Sequence, residues 1–251
     1  MAGVDGRVAL VTGAGRGIGR RTAELLAERG AKVMCVARSE PELASLGLDY
    51  AVADLGTEEG CNAAVEQTEK RLGPIEIFVC NHGLGSAHER VIWEQDPDVW
   101  RETMRINLDG PFYLSRLIAG RMVEQRYGRC VFTSSTAGLV AEHAGSAYNS
   151  SKHGLIGLMR SVATDGGEYG ITSNAVLPGW VRTEMAERSA AREAEDHGIT
   201  VEQVWSDRAA LYRAGRVVTV DEVAEAIVFL ASEESSGISG EAIRVALGSR
   251  E

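Results

Sequence analysis

Tyr148 and Lys152 are the two side chains of this sequence best suited to move a proton together. They stand four residues apart at the start of a predicted helix, so both lie on one helix face. An unperturbed phenol, with a pKa of about 10, is a poor base at neutral pH. A neighbouring ammonium group favours the phenolate, and we expect Lys152 to lower the pKa of Tyr148. The pair therefore predicts acid–base chemistry.

A glycine-rich turn, Thr-Gly-Ala-Gly-Arg-Gly-Ile-Gly at residues 12–19, predicts an anion-binding site. It follows the first predicted strand directly and opens the first predicted helix. Glycine permits positive φ angles and lets the backbone approach a pyrophosphate, and a helix N-terminus attracts anions. The turn therefore indicates a dinucleotide site rather than a simple tight turn. Its predicted contacts with the cofactor are Gly13, Gly15, Arg16, Gly17, Ile18 and Gly19.

The end of the second predicted strand indicates which dinucleotide is bound. Sites for NAD place a carboxylate there to accept the ribose hydroxyls, whereas sites for NADP place a cation there for the 2′-phosphate. Ala37 and Arg38 occupy these positions, and Arg16 could reach the same phosphate from the glycine turn. NADP(H) is therefore the preferred cofactor, with NAD(H) as the alternative. Asp54 and Leu55, after the third predicted strand, are further candidate contacts, with Asp54 suited to the adenine amino group or simply to solvent.

Further residues follow in an order that resembles the short-chain dehydrogenase/reductase family. The motifs in chain order are the TGxxxGxG turn, Asn81-His82-Gly83 after the fourth predicted strand, Asn107, Ser135, Tyr148-x-x-x-Lys152 and the Pro178-Gly179 turn. The resemblance covers essentially the whole chain. Ser151-Lys152-His153-Gly154 and the long insertion at 183–215 are similar to those of bacterial polyketide ketoreductases and oxoacyl-carrier-protein reductases.

The resemblance implies an oxidoreductase that transfers a hydride between a nicotinamide and a carbonyl or secondary alcohol. By resemblance to that family, Tyr148 donates or accepts the proton, and Lys152 also holds the nicotinamide ribose. Ser135 hydrogen-bonds the substrate oxygen and polarises it. Asn107 anchors a water that links Lys152 to solvent, and no metal is required. Each residue also has a structural alternative. Tyr148 could be an aromatic residue at a helix start, and Lys152 a solvated lysine. Ser135 could cap a strand end, and Asn107 could be a buried hydrogen-bonding amide.

The resemblance also implies contacts around the nicotinamide. The expected cofactor contacts there are Asn81, Gly83, Tyr148, Lys152, Pro178, Gly179, Val181 and Thr183. The expected substrate contacts are Ser135, Tyr148 and Trp180, and Trp180 could equally be a packing residue. Three features depart from the family pattern. Only sixteen positions separate Arg38 from Asp54, so the helix between the second and third strands must be short or absent. His82 replaces the usual small residue, either adding a hydrogen bond near the ribose or pointing aside, and the tail at 245–249 lacks the frequent Asp-Gly-Gly ending.

Short apolar runs that alternate with helical patterns predict the framework for these residues. The predicted strands are 8–12, 32–37, 50–53, 75–80, 129–133, 172–177 and 242–246, and the predicted helices are 18–29, 61–72, 99–126, 151–169 and 220–231. Strands that are apolar on both faces and joined by helices indicate a parallel sheet covered on both sides. We therefore expect one α/β domain over residues 1–251, of the Rossmann-type doubly wound class with a seven-stranded parallel sheet. The helix-prone insertion at 183–215 is predicted to be a substrate lid.

Composition excludes several other classes of protein. The 251 residues carry a formal net charge of −10, which disfavours nucleic acid and anionic membranes as partners. Four widely separated cysteines without a C-x-x-C motif argue against a disulfide framework or a zinc site. No apolar stretch approaches the ~18 residues of a membrane span, and the start of the chain has no signal-peptide pattern. We therefore expect a cytoplasmic protein.

The leading hypothesis is thus an NADP(H)-dependent ketoreductase acting on a mid-sized, partly apolar carbonyl compound. The alternatives are an NAD(H)-dependent alcohol or hydroxy-acid dehydrogenase and a non-catalytic NADP(H)-sensing regulator. A carrier-protein-bound substrate would need basic residues at the entrance, for which Arg182, Arg188 and Arg192 are candidates. Family likeness predicts a homo-oligomer, a tetramer or a dimer, formed through the helix faces at 112–122 and 155–162. The expected rim of the pocket includes Leu139, Val140, Glu142, His143, Met185 and Trp205.

Overall fold

Seven parallel strands form one sheet in the order β3-β2-β1-β4-β5-β6-β7. The computed structural model describes residues 3–86, 88 and 90–248. The strands are β1 (Val8–Thr12), β2 (Lys32–Ala37), β3 (Asp49–Val52), β4 (Ile77–Cys80), β5 (Gly128–Thr133), β6 (Ile171–Pro178) and β7 (Ala242–Val245). The predicted seven-stranded, doubly wound sheet is confirmed. Strand order reverses between β1 and β4, and this reversal opens a crevice beyond the carboxyl ends of the strands.

Helices cover both faces of the sheet. They are α1 (Gly17–Glu28), α2 (Glu40–Ala44), α3 (Glu58–Leu72), α4 (Pro97–Met104), α5 (Gly110–Gln125), α6 (Ser146–Gly166), α7 (Glu184–His197), α8 (Val201–Ala210) and α9 (Val220–Leu230). Side chains alternate between the two faces along each strand. In β1, Ala9 and Val11 pack in the core that includes residues of α1 and α9, whereas Leu10 packs with α3, α5 and α6. This two-sided burial explains why β1, β4, β5 and β6 are buried throughout.

Two predicted helices differ from the observed ones. The predicted helix at 99–126 is interrupted between α4 and α5 by a π-helical turn, Arg105–Asp109. The predicted helix at 151–169 begins earlier, at Ser146, so that Tyr148 and Lys152 both lie within α6. The spacing between the second and third strands predicted a short or absent helix, and α2 spans only Glu40–Ala44.

Helices α7 and α8 occupy most of the insertion at 183–215 and pack on each other. Their small core contains Ala190, Ala194, Val204 and Trp205. Thr183 begins α7 by accepting a hydrogen bond from the Ala186 N–H at 3.3 Å. Thr219 and Glu222 form a capping box at the start of α9. No helix in the described ranges is long and apolar enough to cross a membrane.

All four cysteines are free thiols buried in or against the sheet. Cys35 lies in the core on the α1 side, and Cys61, Cys80 and Cys130 lie in the core on the opposite face. Burial raises the pKa of Cys35, Cys61 and Cys130 to about 12 in each case, and it raises that of Cys80 as well. Within the part of the chain that the structure describes, no group of three or more His, Cys, Asp or Glu residues could hold a metal ion.

Candidate active site

A cavity of about 1320 Å³ lies at the carboxyl ends of the strands and brings the predicted site residues together. It extends from the glycine turn, past the ends of β2 and β4, to α6 and to α7 in the insertion at 183–215, which is named the lid after its predicted role. The predicted residues that line it are Gly13, Gly15, Arg16, Gly17, Ile18, Arg38, Asp54, Leu55, Asn81, Gly83, Ser135, Tyr148, Lys152, Pro178, Gly179, Trp180, Val181 and Thr183. Gly19 and Asn107 support this wall from behind rather than lining it.

The glycine turn has the geometry that a bound pyrophosphate requires. Gly13 and Gly17 have φ angles of +65° and +55°, which an L side chain adopts only with strain. A Cβ atom on Gly13 would lie 2.9 Å from the Cα of His82. A Cβ atom on Gly19 would collide with the Gly13 carbonyl and with the side chain of Asn81. The turn therefore packs directly against the end of β4 and presents bare backbone to the cavity, as a dinucleotide phosphate needs.

The two predicted phosphate ligands differ in their surroundings. Arg38 is exposed and, among the described residues, its side chain has no hydrogen bond or ion pair. Arg16 donates to Glu184 at 3.0 Å and lies 3.7 Å from Glu42. Glu184 also accepts a hydrogen bond from Arg188 at 2.8 Å. Sequence reasoning missed both carboxylates, because neither is adjacent to Arg16 in the chain.

Asp54 lines the adenosine end of the cavity and is held in place. Its Oδ1 accepts from the Gly56 N–H at 3.0 Å, and its Oδ2 accepts from Arg105 at 3.1 Å. Partial burial opposes ionisation of Asp54, but these two donors outweigh it and lower the pKa of the carboxyl. Asp54 is therefore an oriented, ionised acceptor at the place where the adenine amino group was expected.

Tyr148, Lys152 and Ser135 converge at the opposite end of the cavity. The Nζ of Lys152 lies 5.6 Å from the centre of the Tyr148 ring and donates to the Thr133 carbonyl at 3.0 Å. Burial lowers the pKa of Lys152 to about 8. Ser135 Oγ accepts from the Ala137 N–H at 3.2 Å, which orients the hydroxyl at the end of β5. Gly83 packs closely against Asn107, since a Cβ there would lie 3.2 Å from Asn107 Oδ1.

Asn107 lies in the π-helical turn and joins two elements of the site. Its Oδ1 accepts from the Leu84 N–H at 2.7 Å, and its Nδ2 donates to the Leu84 carbonyl at 3.0 Å and to Ser151 Oγ at 3.1 Å. The side chain is 1% exposed. Asn107 therefore fastens the loop after β4 to α6, which matches the buried hydrogen-bonding role considered from the sequence. Its role in holding a relay water stays a prediction.

The ring of His82 bonds to the end of the first strand, and the residue also lines the cavity. Its Nδ1 lies 2.8 Å from Thr12 Oγ1, and the Thr12 hydroxyl donates to the Val79 carbonyl at 3.2 Å. Thr12 Oγ1 also accepts from the N–H groups of Asn81 and His82, at 2.9 and 3.2 Å, so the ring belongs to a hydrogen-bond network that joins the ends of β1 and β4. Its Nε2 is buried without a partner among the described residues. Burial, with the nearby Lys152 ammonium as a second cause, lowers the pKa of His82 to about 3, so the ring is neutral.

The lid differs in part from the expected rim. Met185 and Glu142 line the cavity, whereas Leu139, Val140 and His143 are exposed outside it. The prediction for Trp205 was wrong: the ring is 6% exposed and packs inside the lid, where its Nε1 donates to Glu187 at 2.9 Å. The candidate entrance arginines are all paired with acidic side chains. The pairs are Arg182–Glu187, Arg188–Glu184 and Arg192–Asp196.

Two lid residues that sequence reasoning missed contact the Pro178-Gly179-Trp180 turn from behind. They are Arg208, whose guanidinium stacks on the ring of Trp180, and Tyr212, whose hydroxyl accepts from the Trp180 N–H at 2.7 Å. Trp205 and Arg208 stand three apart in the helix-prone insertion, and this spacing favours the contact that their side chains make. No local pattern connects Trp180 with residues about thirty positions later, so these contacts required the tertiary structure.

Comparison with known proteins agrees with this geometry. A family model described as enoyl-(acyl carrier protein) reductase matches residues 13–250. The chain is 34% identical to the 3-oxoacyl-[acyl-carrier-protein] reductase FabG of Vibrio cholerae, over 96% of each chain. The crystal structure of levodione reductase superposes with a TM-score of 0.93 at 29% identity, covering 97% of each chain. That of a single-residue variant of the actinorhodin polyketide ketoreductase with NADPH does so with a TM-score of 0.89 at 29% identity, covering 96% of each.

One family and one kind of reaction are indicated by the side chains of the site, by the glycine turn and by these relatives. The chain belongs to the short-chain dehydrogenase/reductase family and is a nicotinamide-dependent oxidoreductase that interconverts carbonyl and alcohol groups.

Proposed function

We propose that this protein is an NADP(H)-dependent ketoreductase in which Tyr148 is the proton donor for carbonyl reduction. The observation that carries the proposal is the meeting of Tyr148, Lys152 and Ser135 at one end of a cavity whose other end is the glycine turn. A nicotinamide dinucleotide, when bound, supplies or accepts the hydride. The residues of the chain then have to bind the substrate oxygen, deliver a proton to it and keep competing reactants out of the site.

Each of the three side chains has a distinct task in this proposal. The Ser135 hydroxyl, oriented by the Ala137 N–H, donates a hydrogen bond to the substrate oxygen and polarises the carbonyl. The Tyr148 hydroxyl donates its proton to the developing alkoxide. The Lys152 ammonium, 5.6 Å from the Tyr148 ring centre, stabilises the phenolate that remains. Asn107 holds α6 and the loop after β4 in the geometry that the other three require.

The proposed cofactor contacts follow the cavity wall from one end to the other. The backbone at 13–19 holds the pyrophosphate, Asp54 and Leu55 face the adenosine, and Lys152 reaches the nicotinamide ribose. The residues proposed to surround the nicotinamide half are Asn81, Gly83, Tyr148, Pro178, Gly179, Val181 and Thr183. All of them but Tyr148 lie at the ends of β4 and β6 or immediately after them.

The preference for NADP(H) rests on Arg38, with support from Arg16. Arg38 is exposed beside the cavity with no carboxylate partner among the described side chains, so a 2′-phosphate would meet a free guanidinium. An Arg38→Asp variant should reverse the preference, because its carboxylate repels the phosphate and accepts the ribose hydroxyls instead. Dissociation constants of NADPH and NADH, measured for both proteins by nicotinamide fluorescence, test this. An unchanged ratio of the two constants would refute the assignment.

The decisive test of catalysis is the Tyr148→Phe variant. We expect at least a hundredfold loss of NADPH oxidation with a panel of ketones, on the order of what a positioned general acid contributes. The NADPH dissociation constant should change little, because the ring that packs at the site is retained. Equal rates in the variant and the parent protein would sink the mechanism. A parent protein that binds NADPH but reduces no ketone would favour the regulator instead.

The proposed substrate is a mid-sized carbonyl compound with an apolar portion. Trp180 and Met185 provide apolar surface beside Ser135 and Tyr148 in the cavity. A 3-oxoacyl thioester on an acidic carrier protein is the second candidate, because the relative from Vibrio cholerae is a 3-oxoacyl-[acyl-carrier-protein] reductase.

We propose that the protein is a cytoplasmic homo-oligomer, a tetramer or dimer. The four free, buried thiols suit a reducing compartment, and the half-exposed Phe112 at the start of α5 suits a helix–helix interface.

A further inference from the structure

Trp180 is held in place by segments of the chain that follow it by thirty or more residues. Its N–H donates to the Tyr212 hydroxyl at 2.7 Å, and its carbonyl accepts from the Val218 N–H at 3.0 Å. The preceding Gly179 N–H donates to the Val245 carbonyl at 3.1 Å. A Cβ atom on Gly179 would collide with the Tyr212 hydroxyl. The backbone that leaves β6 toward the cavity is therefore fixed on both sides.

The ring of Trp180 is fixed by Arg208. The guanidinium carbon of Arg208 lies 3.6 Å from the centre of the Trp180 ring and 4.9 Å from that of Trp205. Arg208 is 4% exposed, although it is an arginine on a helix of the lid. A desolvated cation on the face of an indole is among the stronger side-chain contacts in proteins. This contact ties α8 to the turn after β6.

Arg208 is itself anchored to the other lid helix. Its guanidinium donates to Glu193 at 2.7 Å, to Ser189 Oγ at 3.3 Å and to the Ala186 carbonyl at 3.3 Å. These three acceptors all lie on α7. A planar guanidinium can stack on one partner while its edge bonds to others, which an ammonium group cannot do. These contacts therefore depend on the planar guanidinium of an arginine, and not only on its positive charge.

Trp180, Ala186 and Ser189 also line the cavity, together with Ser135 and Tyr148. We propose that Arg208 is a positioning residue that fixes Trp180 as a wall of the substrate pocket and so determines which face of a prochiral ketone meets the hydride donor. The inference rests on the proposed binding of the substrate oxygen between Ser135 and Tyr148. The two substituents of an unsymmetrical ketone then lie on different sides, and a fixed indole accepts the larger one on one side only.

The test is the enantiomer ratio of the alcohol formed from acetophenone and NADPH, measured for the full-length protein by chiral chromatography. This ratio is independent of the fraction of active protein, so a merely structural role for Arg208 would not move it. We expect Arg208→Met, which keeps the apolar stem and loses the guanidinium, to reduce the ratio about tenfold. Arg213→Met is the matched control, because Arg213 is an exposed arginine just beyond α8, and its ratio should equal that of the parent protein.

A second variant keeps the proposal open to refutation if Arg208→Met does not fold. Arg208→Lys retains a positive charge for Glu193 but cannot stack as a plane, and it should also lower the ratio. A parental ratio in either folded variant, an equal fall in Arg213→Met, or a racemic product from the parent protein would overturn the proposal. Failure of the parent protein to oxidise NADPH with any ketone would instead overturn the proposed function, so the two failures are distinguishable.

Discussion

The burial of Lys152 has a consequence for stability that depends on pH. Because burial lowers the pKa of this group from 10.5 to about 8, the unfolded chain binds a proton between these pH values that the folded protein has lost. The free energy of unfolding therefore rises with pH across this window. Lys152→Met removes the group, so the stability of the parent protein relative to this variant should increase by up to about 3 kcal/mol from pH 7 to pH 10.5.

Urea unfolding of the cofactor-free proteins at several pH values measures this difference. Lys70→Met, on the exposed side of α3, is the control and should leave the pH dependence of the parent protein unchanged. Parallel stability curves for the parent protein and Lys152→Met would contradict the assignment of the lowered pKa to Lys152.

Single residues divide clearly into those that sequence reasoning could find and those that it could not. Tyr148, Lys152 and Ser135 were predictable because their chemistry limits the residue types and their spacing follows from one strand and one helix. The partners of Arg16 were not, since Glu184 lies 168 positions away. The sequence also left the hydrogen-bond partner of His82 undecided, because a side chain at a strand end can point to either side.

At the scale of elements, the contact of the glycine turn with α7 joins cofactor binding to the lid. Glu184, the first residue of α7, bonds to Arg16, and a 2′-phosphate would compete with it for the same guanidinium. Glu184→Gln should therefore lower the dissociation constant of NADPH up to about fivefold, as expected for an exposed ion pair. The dissociation constant of NADH should stay the same, because NADH has no 2′-phosphate.

Titration of nicotinamide fluorescence with both cofactors measures the effect of Glu184→Gln. Glu202→Gln removes the same charge from α8, where the carboxylate is exposed, and serves as the control. An equal change for NADPH and NADH, or the same change in the control, would show that Glu184 does not compete with the phosphate.

The interruption between α4 and α5 shows why element boundaries were harder to predict than element types. Apolar periodicity predicted one helix over 99–126, and the chain is indeed helical there. A π-helical turn inserts an extra residue without changing composition, so periodicity does not reveal it. Here the turn, Arg105–Asp109, is where Asn107 reaches both Leu84 and Ser151. The unpredicted irregularity therefore coincides with a proposed site residue.

For the whole molecule, the alternation of apolar runs and helical patterns was sufficient to predict the sheet. Both faces of the central strands are buried, so the runs are continuous and easy to recognise. The packing of α7 and α8 on the Pro178-Gly179-Trp180 turn depends on individual side chains such as Arg208 and Tyr212. Those contacts join distant parts of the chain and have no periodic signature.

The four cysteines have a consequence for how opening of the protein can be followed. Alkylating reagents attack the thiolate, and burial with a raised pKa leaves almost none of it in the native state. Cys35 becomes accessible when the α1 side of the sheet opens, whereas Cys61, Cys80 and Cys130 do so when the opposite side opens. The chain therefore contains natural chemical labels that distinguish the exposure of one layer from that of the other.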